Sequence, residues 1–177
     1  MGVVFHLPLV VVSVYVPEVH VPYSSEEYPV LQVPVRGEDK YRYHQALNPW
    51  WDTRTTIVNV EHDMECDDKL IADLLECRES NCTHAYKIYN PSVVNISTGK
   101  VTNLQGPKQP YFAQFSKHTP IQEGDEWADY SGIGLCKLGG NRNHILRAAP
   151  WWQVEYEVNK SVPMWHVHWP IVEHYHP

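Results

Sequence analysis

The four cysteines, Cys66, Cys77, Cys82 and Cys136, form no Cys-x-x-Cys pair, which argues against a zinc ribbon. No basic region precedes the apolar amino terminus, so no secretory signal and no oxidising compartment are expected. Reduced cysteines in a cytoplasmic protein are the expectation. The glycosylation patterns Asn81-Cys82-Thr83 and Asn95-Ile96-Ser97 then carry no meaning. Positive charge is also short. Fourteen Lys and Arg stand against 21 Asp and Glu, a net charge of −7, which argues against a nucleic-acid backbone as main partner. No apolar run has the length or composition of a membrane span. Val3 to Val16 contains His6 and Pro8 and reads as a buried strand from about Leu9 to Val16. There is no Gly-x-Gly-x-x-Gly placement, no P-loop, no internal repeat and no low-complexity tract.

What is present is a chain of 177 residues, 43% hydrophobic. That is enough for one globular domain with its own core, spanning 1–177. Seven Trp and eleven Tyr can fill a core or line a sugar or ligand site.

The chain is organised around Thr56 to Asp63. Ile57, Val58 and Val60 are β-branched, and the short apolar run fits a strand covered on both faces. It ends in Glu61-His62-Asp63. Alternation along a strand puts both carboxylates on one side, where they can hold a hard divalent cation and through it a diphosphate. Leu70, Ile71, Leu74 and Leu75 then mark one face of a helix, with Asp67 and Asp68 able to cap its free amides. Strand, acidic tip, helix is how open α/β sheets carry chemistry at strand carboxyl ends.

Elsewhere the pattern predicts an edge strand over Val30 to Val35 and a helix over Glu38 to Leu47 that ends before Pro49. It predicts a strand over Thr83 to Tyr89 and a hairpin pairing Val93–Ile96 with Val101–Leu104. The polar, Gly- and Pro-marked stretch 90–129 reads as a lid or binding insertion. Gly132 and Gly134 permit close backbone approach before the apolar run to Leu138. Pro150 opens a helix in which Trp151, Val154 and Val158 face inward, with Glu155 beside them. In the tail, His166 and His168 share a strand face, as do His174 and His176. A site combining Glu61 or Asp63 with a tail histidine would suit Mn²⁺, Mg²⁺ or Zn²⁺.

Ile57 to Asp63 with the helix ending at Cys77 and the strand Cys82 to Tyr86 resemble a group of small glycosyltransferase-like proteins of phages and actinobacteria. Gly134-Leu135-Cys136-Lys137, Trp151-x-x-Val154-Glu155 and the histidine tail extend the likeness over the last two thirds of the chain. The resemblance implies an α/β fold: a single-domain, abbreviated GT-A-like (Rossmann-like) mixed sheet flanked by helices. It implies transfer of a sugar from a nucleotide-diphospho-sugar to an acceptor hydroxyl on a protein, glycan or modified nucleotide, in the host cytoplasm if phage-encoded. Under it, Glu61, Asp63 and Lys137 bind the donor. Asp63, Glu61 and one of His174, His168 or His176 hold Mn²⁺ or Mg²⁺, and Glu155 is the catalytic base. The alternatives are a non-catalytic structural, accessory or metal-binding protein that keeps the fold, and a metal-dependent sugar-nucleotide hydrolase.

Overall fold

The computed structural model describes residues 9–18, 22–89, 92–103, 110–140, 142 and 144–175. The chain opens with β1 (Leu9–Tyr15) and β2 (Val30–Pro34), turns through helix α1 (Arg42–Asp52) and enters β3 (Thr56–Glu61). Helix α2 (Asp68–Glu76) leads to β4 (Asn81–Ile88). Seven short strands follow: β5 (Ser92–Val94), β6 (Val101–Asn103), β7 (Tyr111–Phe112), β8 (Gln114–Ser116), β9 (Thr119–Pro120), β10 (Trp127–Ala128) and β11 (Tyr130–Ser131). Then come β12 (Leu135–Leu138), α3 (Trp151–Ser161) and β13 (Trp165–Val172).

The main sheet runs β10-β13-β4-β12-β3-β1-β2, with β7 added to β4. β1 pairs in parallel with β2 and β3. β12 is antiparallel to both β3 and β4, and β13 is parallel to β4. The protein is therefore a mixed α/β domain. Alternation divides its core in two. Val12, Val14 and Ile57 face α1 and α3, packing with Leu47, Trp51, Val154 and Val158. Val11, Val58 and Val60 face α2, packing with Ile71 and Leu74. Both faces of β3 are covered, which is why its sequence reads as an unbroken apolar run. Truncating Ile71 or Leu74, each fully buried, to Ala would cost about 2–5 kcal/mol.

Asp67 caps α2 by accepting the Leu70 amide at 2.9 Å, an interaction typically worth about 1 kcal/mol. Helix α1 departs from expectation. It starts later and runs through Pro49 to Asp52. Proline forfeits one helical hydrogen bond, yet packing on both sides of it prevails: Leu47 and Trp51 are buried. The carbonyls of the last turn are taken by the Arg142 guanidinium, which donates to Trp50 O at 2.8 Å and Trp51 O at 3.3 Å. Trp50 and Trp51 thus belong to the helix.

The stretch 90–129 is more than an insertion. β5 and β6 form the expected hairpin, but β7 extends the main sheet on β4 and β10 edges it on β13. No helix among the described residues is long and apolar enough to cross a membrane.

Candidate functional site

β3 delivers Glu61 to the carboxyl end of the parallel strands, on the α1 and α3 side of the sheet. Its amide donates to Gly134 O at 2.7 Å, so the chain entering β12 lies against the acidic tip. The two glycines there lie tight against side chains from β4 and the acidic turn. A Cβ on Gly132 would lie 2.1 Å from the Tyr86 hydroxyl, and one on Gly134 would lie 3.0 Å from both Tyr86 Oη and Met64 Sδ. Two residues before Glu61 on the same strand face, Asn59 is fully buried. It donates to Tyr43 Oη at 2.7 Å and to Ile133 O at 2.6 Å. Tyr43 in turn donates to Glu61 Oε1 at 2.8 Å. A chain of hydrogen bonds from the core therefore holds the carboxyl in place.

Asp63 lies past the strand, in the turn, and tertiary contacts position it. The tail pairs back on this turn through a Met64–His174 bridge. Tyr175 N donates to Asp63 O at 2.6 Å, and Glu65 N to Glu173 O at 3.0 Å. His174 Nε2 consequently sits 2.8 Å from Asp63 Oδ2, with the two side chains only 8% and 15% exposed. His174 Nδ1 lies 3.1 Å from Lys87 O. Asp63 Oδ1 is buried with no hydrogen-bond partner among the described residues.

Glu61, His62, Asp63 and Glu155 line a cavity of about 420 Å³. Its wall includes Tyr43, Tyr130, Trp151, Trp152 and Tyr156, with Arg36 among the lining residues. The Arg36 guanidinium stacks 4.4 Å from the Trp151 ring centroid. Glu155 comes from α3 and accepts a hydrogen bond from Tyr130 Oη at 2.8 Å. The hairpin joining β5 to β6 is tied to this wall: Ile96 O accepts from Trp152 Nε1 at 3.2 Å and from Gln153 Nε2 at 2.6 Å.

Crowding of carboxyls sets the electrostatics. Burial, reinforced by the neighbouring Asp63 charge, pushes Glu61 up to about 8. Burial likewise raises Glu155 above the usual carboxyl range. Burial also opposes the Asp63 carboxylate, but the His174 hydrogen bond and charge outweigh it and hold Asp63 low. At His174, burial disfavours the cation, and Asp63 followed by Glu61 more than compensates, so its value is raised.

Asp63, Glu61 and His174 carry donor types that a hard divalent ion takes, but their donor atoms are not drawn together into a three-donor cluster. The orphaned Asp63 Oδ1, the Glu61 carboxyl and His174 Nε2 are oxygen and nitrogen donors of the kind Mn²⁺ and Mg²⁺ take. The contact between His174 Nδ1 and the Lys87 carbonyl is the outer-shell support that ligating histidines characteristically have.

Two other candidate residues lie elsewhere. His168 does not meet Asp63. Its ring packs against His84 and His166, with centroids 5.4 and 4.9 Å away. Lys137 does not line the cavity, because it leaves β12 on the opposite face, where its Nζ donates to Cys77 O at 2.8 Å. His176 lies outside the described residues. Among the residues the sequence did not single out, Asn59 carries a detectable signal, a polar residue within an apolar strand and in phase with Glu61. Tyr43, Tyr130 and Arg36 carry none, since they come from separate elements without a local motif.

No protein-family model and no curated protein matches this sequence. A comparison with solved structures finds one titled "Crystal Structure of A197 from STIV", with a TM-score of 0.48 and 10% identity over 92% of this chain and 82% of that one. A likeness of that degree carries no argument about function.

Proposed function

We propose that the protein is a metal-dependent glycosyltransferase moving a sugar from a nucleotide-diphospho-sugar to an acceptor hydroxyl. The observation that carries this reading is the pairing of Asp63 with His174 at 2.8 Å, beside Glu61 and in the same cavity as the separate carboxyl of Glu155. Asp63, Glu61 and His174 would hold a divalent ion. Such an ion supplies neutralising charge to the departing diphosphate. Arg36 offers the phosphates a further cation, and the indoles of Trp151 and Trp152 offer apolar faces to a sugar or base.

Glu155 takes the proton of the acceptor hydroxyl as that oxygen forms its bond to the anomeric carbon. The sugar–phosphate bond breaks, and its electron pair leaves with the nucleoside diphosphate. A carboxyl raised by burial is a stronger base than an exposed one once ionised, which suits it to this proton transfer. Tyr130, donating to Glu155 Oε1, fixes the orientation of the carboxyl.

The test is a thermal-shift titration with nucleoside diphosphates of each base, with and without Mn²⁺, followed by assay of sugar-nucleotide turnover. A stabilisation that needs both nucleotide and ion supports the reading, as does turnover that needs an acceptor. Turnover without any acceptor would identify a hydrolase. No nucleotide-dependent shift with any base would overturn the proposal.

A further inference from the structure

Near the start of β13, on the α2 face of the sheet, a second group of ligating side chains converges. Cys77 ends α2, and its Sγ lies 3.3 Å from His166 Nδ1. One donor atom from each of Cys77, His166 and His168 lies within 4.8 Å of the others. We propose that Cys77, His166 and His168 form a zinc site, separate from the cavity at the other end of β13. This inference does not rest on the transferase reading.

Three observations support it. The spacing is close to that of a bound ion. Zn–S near 2.3 Å and Zn–N near 2.0–2.1 Å in a tetrahedron put neighbouring donors roughly 3.3–3.6 Å apart. Cys77 and His166 are already there, and side-chain rotation closes the remainder. Second, His168 Nε2 is buried without a hydrogen-bond partner among the described residues, a cost that a metal bond would remove. Third, outer contacts are in place. Glu126 Oε1 lies 3.5 Å from His166 Nε2, a carboxylate behind a ligating imidazole, and Lys137 fixes the Cys77 carbonyl.

A thiolate with two imidazoles selects zinc over Mn²⁺ or Mg²⁺. Binding releases the Cys77 thiol proton to solvent, and solvent fills the fourth position. The ion would clasp the end of α2 to β13, the strand whose continuation carries His174.

The test uses the full chain, stripped with chelator and then titrated with Zn²⁺ and Co²⁺. A tetrahedral Co²⁺ spectrum is expected whose sulfur-to-cobalt charge-transfer band saturates at one ion per chain. Zn²⁺ should also slow alkylation of Cys77, read by peptide mass against the same peptide from the chelator-stripped chain. Cys77→Ser and His168→Gln should each weaken binding at the sulfur-ligated site at least tenfold, and Asp63→Asn should leave the sulfur-to-cobalt band unchanged. A Co²⁺ spectrum lacking the sulfur band in the wild-type chain would overturn the site whether or not the variants fold. Loss of the sulfur band in Asp63→Asn, with Cys77→Ser retaining its Zn²⁺ affinity, would do the same.

Discussion

His174 Nε2 stands 2.8 Å from Asp63 Oδ2 while its Nδ1 stands 3.1 Å from the Lys87 carbonyl. A carbonyl only accepts, so Nδ1 carries the proton. The ring facing Asp63 is then either imidazolium or a neutral imidazole whose free Nε2 lone pair meets the carboxylate. The second arrangement is repulsive unless a cation lies between them. The same geometry thus serves as an ion pair without metal and as a ligand pair with it.

Asp63→Ala should abolish metal-dependent nucleotide binding. Ligand at a hundredfold excess over Kd adds about 2.7 kcal/mol of stability. For a chain of this size that corresponds to a Tm rise of roughly 5–10 °C. The wild-type protein should show it with nucleoside diphosphate and Mn²⁺, and the variant should show none. A variant that binds donor as tightly as the wild type would move the site elsewhere.

Glu155→Gln should leave donor binding intact and lower transfer by roughly 10²–10⁴-fold, because the amide still accepts from Tyr130 but cannot take a proton. It should also change the pH dependence of stability. The folded-state value of Glu155 is raised above its ordinary 4.5, so the folded wild type holds a proton that the unfolded chain has lost. Wild-type stability therefore falls relative to the variant as pH climbs from that ordinary value through the raised one, and the difference is constant above it. Urea midpoints of both proteins across the acid-to-neutral range measure this. A difference independent of pH would show that Glu155 is not held protonated by the fold.

Tyr43→Phe removes the hydroxyl that links Asn59 to Glu61. The fully buried Asn59 then loses one of its two acceptors, at a cost of about 1–3 kcal/mol, readable as a lower denaturation midpoint. Since the Tyr43 hydrogen bond lowers the Glu61 value, the variant should hold the Glu61 proton to higher pH. Carboxyl infrared bands or isotope-edited NMR of Glu61 would report it.

Arg142→Leu should destabilise the protein by about 3 kcal/mol or more, since each buried carbonyl left without a donor costs about 1–3 kcal/mol. The guanidinium donates to five carbonyls: those of Leu138, Gly139, Trp50, Trp51 and Thr55. Arg142→Lys should recover less than half of the loss, because a single ammonium cannot span that fork. Equal midpoints for Lys and Arg would mean that charge alone matters.

Local pattern made much of the fold legible. The β-branched run to Val60, the period of Leu70 to Leu75 with its Asp67 cap, the Pro150 helix start and the β5–β6 hairpin all depend on neighbours in the chain. Residues a few positions apart decide such features. The course of α1 was not legible, because the burial of Leu47 and Trp51 and the Arg142 hydrogen bonds to the last turn involve residues distant in sequence. The roles of β7 and β10 in the main sheet were hidden for the same reason, since strands of two residues have no periodicity to detect.

The sequence by itself determined that an acidic tip follows an apolar strand and that a histidine-bearing strand closes the chain. Alternation also put His166 and His168 on one face. Only the tertiary structure decided which histidine meets Asp63. The pairing of β13 with β4 brings His166 and His168 beside Cys77, and the backbone bridge at Met64 brings His174 to the acidic turn. Strand register and crossover are set by packing over the whole sheet, and a slip along β13 would exchange one set of partners for another without altering a single local preference.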